Sequence, residues 1–171
     1  MAEPRTLVTA DGLRITAELA AAQTDAPRAA MVLCHPHPQF GGSMRSLVIS
    51  ELFAALPAAG VTCLRFDFRG VGASEGTFDN GDGERLDARA ALDALRAEPG
   101  PTGPLLLAGW SFGADVALSV DDAEVAAWIA IACPLRYTHH VEVVAADPRP
   151  KRLALAANDE LRAPEEVRAE V

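Results

Sequence analysis

Short uncharged apolar runs alternate along this chain with stretches whose apolar positions recur at helical spacing. Residues 7–9 and 14–17 flank Asp11-Gly12, and an Asp-Gly pair between two such runs predicts a β-hairpin. Residues 29–34 form an apolar run centred on Met31, Val32 and Leu33, and it stops at a loop containing two prolines and two glycines, His35-Pro36-His37-Pro38-Gln39-Phe40-Gly41-Gly42. Leu47, Val48, Leu52, Phe53 and Leu56 give helical spacing over 45–59, with Pro57 where a helix would end. A strand is predicted over 61–68, then a glycine-rich loop from Arg69 to Gly76. Ala88, Ala91, Leu92 and Leu95 share one face of a helix over 83–98. Residues 105–109 carry no charge and read as a strand buried on both faces, and 114–120 continue as a helix. Further strands are expected over 125–133 and 152–157, with an irregular stretch over 135–150 between them and a helix starting near Pro164. This alternation predicts a layered α/β fold with a mostly parallel central sheet.

Composition narrows the classes. At 171 residues, half of them hydrophobic, the chain reads as one domain, 1–171, with a sizeable core. The net charge of −9 argues against nucleic acid, an anionic membrane or a polyanion as partner. Cys34, Cys63 and Cys133 are odd in number and sit in apolar runs, so buried thiols are expected rather than disulfides or metal ligands. The start of the chain has no secretory pattern, and no apolar stretch is long enough to span a membrane, so a cytoplasmic location is the expectation.

Candidate chemistry sits where strands end. Gly109-Trp110-Ser111-Phe112-Gly113 is a G-x-S-x-G motif between a predicted strand and a predicted helix. Such a turn strains the serine backbone and lifts its hydroxyl above the carboxyl edge of the sheet, and the glycines leave room for the neighbouring strand and helix. Ser111 is the candidate nucleophile. Trp110 and Phe112 either line an acyl pocket or pack the core. His35 and His37 lack a third nearby metal ligand; a hydrogen bond pinning the loop is the expected role of His35. On a strand running through Phe68, Asp67 and Arg69 point to one face and organise the following loop. His139-His140 reads as a solvent-exposed pair.

Together these residues resemble the α/β-hydrolase superfamily. His35-Pro36-His37-Pro38 with Gly41-Gly42 is similar to a loop of a small, lidless bacterial group of these hydrolases. Asp67-Phe68-Arg69-Gly70-Val71-Gly72-Ala73-Ser74 resembles the family's Asp-x-Arg-Gly-x-Gly-x-Ser segment, and Asn158-Asp159-Glu160-Leu161 its acid-bearing loop. The resemblance implies a three-layer fold and a serine esterase or related acyl hydrolase, acting on a small acyl or ester substrate without cofactor, metal or cap domain. It implies Ser111 as nucleophile and Asp159 as the acid that orients the base, with Glu160 as fallback. The backbone N–H groups of Phe112 and His37 would form the oxyanion hole, since Pro36 and Pro38 have no N–H to give. The family's histidine base follows its acid by one more strand. Here residues 160–171 contain no histidine, and all four histidines precede Asp159. The fold is therefore expected to lack its C-terminal strand and helix, and the 171 residues alone to be a poor esterase. The alternative is a catalytically impaired domain that binds a ligand. An aspartate would stand at position 111 in a haloalkane or epoxide hydrolase.

Overall fold

A computed structural model describes residues 2–98, 103–139, 141–157 and 162–171. Seven strands form one sheet: β1 (Glu3–Val8), β2 (Arg14–Ala20), β3 (Ala29–Cys34), β4 (Val61–Phe66), β5 (Leu105–Trp110), β6 (Val125–Ile131) and β7 (Lys151–Ala154). Their order across the sheet is β1-β2-β4-β3-β5-β6-β7. The hairpin pairs antiparallel with itself and with β4, and the remaining pairings are parallel. All carboxyl ends of β3 to β7 therefore lie along one edge, where α/β folds hold their ligands.

The helices cover both faces. Ile49 and Phe53 of α1 (Leu47–Ala55) pack on one face with Met31, Leu33, Cys63 and Ala108. On the other face, α2 (Asp82–Ala97) and α3 (Phe112–Ala117) cover Val32, Leu64, Phe66 and Leu107. Val144 of α4 (Val141–Ala146) and Val167 of α5 (Pro164–Glu170) join that second core. All six residues of β3 are buried because helices flank it on both sides. Cys34, Cys63 and Cys133 are buried, none in a disulfide.

Several elements differ from the sequence-based expectation. The helix over 45–59 is α1 followed by a 3-10 turn, Leu56–Ala59, because Pro57 has no N–H to continue the ladder. α4 lies inside the stretch expected to be irregular; with six residues and one buried side chain its periodic signal is too short to detect. β7 is Lys151–Ala154 rather than 152–157. β4 stops at Phe66, so Asp67 and Arg69 do not share a strand face. Asp67 accepts from the Met44 N–H at 2.7 Å, whereas the Arg69 guanidinium reaches Asp87 of α2 at 2.8 Å and Asp11 of the hairpin at 3.0 Å. Both still organise the loop.

Candidate active site

β5 ends directly at Ser111, whose backbone adopts φ 54° and ψ −121°. An L-residue there stores about 1–3 kcal/mol of strain, which the surrounding contacts must hold. The Ser111 N–H donates to Ile131 at 2.8 Å, and its carbonyl accepts from Ala114 at 2.8 Å, stitching the turn between β6 and α3. Neither flanking glycine can carry a side chain. A Cβ at Gly109 would lie 2.0 Å from the Gly113 carbonyl oxygen, and one at Gly113 would lie 2.3 Å from that of Cys34 and 2.4 Å from that of His35. The turn is thus wedged against the end of β3, which brings the His35–Gly42 loop beside Ser111.

Two histidines shape that loop. His35 is fully buried: its Nδ1 lies 2.6 Å from the Pro36 carbonyl and its Nε2 accepts from the Phe68 N–H at 3.0 Å. This pairing places the ring proton on Nδ1. Burial lowers its pKa to about 4, so the ring is neutral. His37 accepts from the Gln39 N–H through Nδ1 at 3.2 Å, and its ring sits among Phe40, Phe78, Phe112 and Tyr137 at 4.6–5.1 Å between centroids. Burial also lowers the pKa of His37. The backbone N–H groups of residues 39–45 all donate within the loop or to Asp67. Among the described residues, the His37 N–H has no acceptor. The Phe112 N–H, the first of α3, has none either, as helix geometry dictates.

Two depressions meet at Ser111. One, about 340 Å³, is lined by His37, Phe40, Gly42, Leu47 and Trp110. The other, about 160 Å³, is lined by His37, Phe40, Phe112, Pro134, Arg136 and Tyr137. Phe40 is 83% exposed and Leu47 71%, giving the larger cleft an apolar rim. Trp110 lines the larger cleft and packs on the α1-side core, while Phe112 is buried in the aromatic cluster and walls the smaller cleft, so both neighbours of Ser111 combine packing with lining.

His139 is half-buried rather than exposed: its Nε2 lies 3.0 Å from the Asn80 carbonyl and its Nδ1 3.5 Å from Asp82. Asp159, Glu160 and His140 lie outside the described residues. Sequence reasoning missed Asp115. This carboxylate on α3 is buried and accepts from the N–H groups of Leu135 (2.9 Å), Arg136 (2.8 Å) and Tyr137 (3.0 Å). Desolvation raises its pKa, against the pull of those three donors. Its signal is a lone charge inside the apolar run Phe112-Gly113-Ala114-Asp115-Val116-Ala117.

Comparison with known proteins adds to this geometry. Residues 25–165 match the family model described as serine aminopeptidase, S33. An uncharacterized protein of Rickettsia prowazekii is 36% identical over 152 residues, 86% of this chain and 64% of that protein, so the chain spans less than two thirds of this relative's length. An α/β serine hydrolase homologue from Coxiella burnetii superposes with a TM-score of 0.86 at 31% identity, covering 99% of this chain and 80% of its own. The lidless α/β serine hydrolase XC6422 from Xanthomonas campestris gives 0.82 at 34%, covering 98% and 77%.

Proposed function

The chain belongs to the serine aminopeptidase, S33, family within the α/β hydrolases, and we propose that it is a serine acyl hydrolase of carboxylesterase type, with Ser111 as nucleophile. The observation that supports this best is the strained Ser111 turn beside two backbone N–H groups, of His37 and Phe112, that have no acceptor among the described residues. In this reading the Ser111 Oγ attacks the substrate carbonyl, and its proton passes to a base. The two N–H groups take the negative charge that develops on the carbonyl oxygen. The alcohol leaves with a proton, and water then cleaves the acyl-serine to release the acid. Asp159 is the proposed acid that orients the base. The open clefts suit a small, accessible ester without a lid.

The base is the group the described residues do not provide. His35 holds Phe68, His37 accepts from Gln39, and His139 is bonded at Asn80. This favours a second reading, a domain that binds an ester-like ligand and turns it over poorly. A fluorophosphonate probe followed by peptide mass spectrometry separates the two. Labelling of Ser111, abolished by Ser111→Ala, is the expected result. Labelling of another serine would remove Ser111 as nucleophile, and a folded chain that binds an ester but takes no label would be a binding domain.

A further inference from the structure

The smaller cleft beside Ser111 carries a charge that has no partner among the described residues. Its walls are Phe40, Phe112, Pro134 and Tyr137, and Arg136 is its one charged lining residue. Of the thirteen other arginines of this acidic chain, nine make ion pairs among the described residues, and the four that do not, Arg28, Arg89, Arg152 and Arg168, line neither cleft at Ser111. Among the described residues, the exposed Arg136 guanidinium makes neither an ion pair nor a hydrogen bond. Arg162 reaches the Pro134 carbonyl at 3.4 Å behind the same wall, but its charge is engaged by Glu166 and Glu170.

The backbone beneath Arg136 is held in an unusual way. Ala132 and Leu135 both adopt positive φ, 48° and 52°, so the chain leaving β6 is bent through conformations L-residues avoid. The buried carboxylate of Asp115 holds that bend by accepting from three successive N–H groups, those of Leu135, Arg136 and Tyr137. Asp115 stands four positions after Ser111, with its N–H donating to the Ser111 carbonyl at 3.2 Å. The serine turn and the Arg136 loop are therefore fixed to the same helix. Burying a carboxylate is unfavourable unless its oxygens are satisfied, and here the donors are the backbone of the cleft wall itself.

We propose that this cleft is a recognition subsite for a carboxylate borne by the substrate, read by the Arg136 guanidinium, and that Asp115 is its positioning residue. The proposal rests on the acyl-hydrolase reading of Ser111 and adds a substrate class: esters or amides whose far end carries a carboxylate, with a short apolar stem against Phe112 and Tyr137. A planar guanidinium matches a carboxylate with two parallel N–H donors, which a neutral group cannot use equally well.

The test is a binding measurement on the full chain that involves no turnover. Succinamate, glutaramate and adipamate, each with one amide and one carboxylate, are titrated against the diamides succinamide, glutaramide and adipamide by NMR at low ionic strength. At one length or more the acid should bind about five-fold tighter than its diamide, a margin that shrinks with added salt because Arg136 is exposed. Arg136→Gln should erase the preference and Arg136→Lys keep part of it. Asp115→Asn should weaken it while shifting the amide signals of Arg136 and Tyr137. Equal affinities at all three lengths would overturn the proposal. So would a preference that survives Arg136→Gln, because the carboxylate would then sit on the His37 and Phe112 N–H groups. Failure of this ranking counts against Arg136, whereas failure of Ser111 to take the fluorophosphonate label counts against the hydrolase reading.

Discussion

His35 should make the protein acid-sensitive by an amount that follows from its burial. Its folded pKa is about 4, against 6.5 for an unhindered imidazole. Between those values the unfolded chain binds a proton that the folded chain refuses, so stability falls as pH is lowered through that window. The full effect is about 3 kcal/mol, and about 2 kcal/mol of it should be lost between about pH 7 and about pH 5. The molecular cause is specific. A proton on Nε2 would cancel its acceptance from the Phe68 N–H and leave a buried charge that has no carboxylate partner among the described residues. His35→Gln supplies an acceptor that does not titrate. Urea unfolding at a series of pH values, taken as wild type minus variant, isolates His35 from the carboxylates that titrate nearby. The variant should be less stable at neutral pH, since it loses the donor to Pro36, and the gap should narrow or reverse toward about pH 5. Parallel curves for the two proteins would refute the neutral, pinned histidine.

Three more substitutions probe the same edge of the sheet. His37→Pro removes the proposed oxyanion N–H at a φ of −53° that proline tolerates, while His37→Ala keeps it; the proline variant should lose about 100-fold or more in fluorophosphonate labelling rate relative to alanine. Gly113→Ala puts a Cβ 2.3 Å from the Cys34 carbonyl oxygen and should cost about 3 kcal/mol or more in urea unfolding, with loss of labelling, whereas Gly41→Ala, with open space around it, should cost about 1 kcal/mol. Asp87→Asn strands the buried Arg69 guanidinium with only the half-exposed Asp11, and should lower stability by about 3–5 kcal/mol, seen as a drop of about 10 °C in Tm.

The parts of this molecule legible in its sequence are those with a local cause. The Ser111 turn shows itself because a Cβ at Gly109 or Gly113 would lie 2.0–2.3 Å from a backbone oxygen, and glycine is visible in any sequence. β3 and β5 are legible as uncharged runs because helices cover both faces of the sheet there. Distant partners leave weaker traces. The role of Asp115 depends on residues 20 to 22 positions away, and the pairing of Arg69 with Asp87 spans 18. A lone charge in an apolar helix signals that a partner exists without saying which one. Asp67 and Arg69 looked like same-face neighbours because alternation assumes the strand continues. β4 ends at Phe66, before either residue, and the turn sends the two side chains to opposite layers.

What these long-range pairs share is location. His35 accepts from the Phe68 N–H and Asp67 accepts from the Met44 N–H, tying the loops after β3 and β4 together. Gly113 lies against the carbonyls of Cys34 and His35, which ties the Ser111 turn to the same unit, and Asp115 adds the loop after β6. Four loops from four strands thus depend on buried polar groups whose partners lie on a different loop. Each such group destabilises the fold if its partner moves, so the loops resist displacement together rather than singly. A site that stabilises charge on a carbonyl oxygen needs its donors fixed before the charge appears, because donors that reorient during the reaction return much of the gain. The costly burial of His35, Asp67 and Asp115 at one edge of the sheet is therefore what the proposed acyl-transfer site at Ser111 would require.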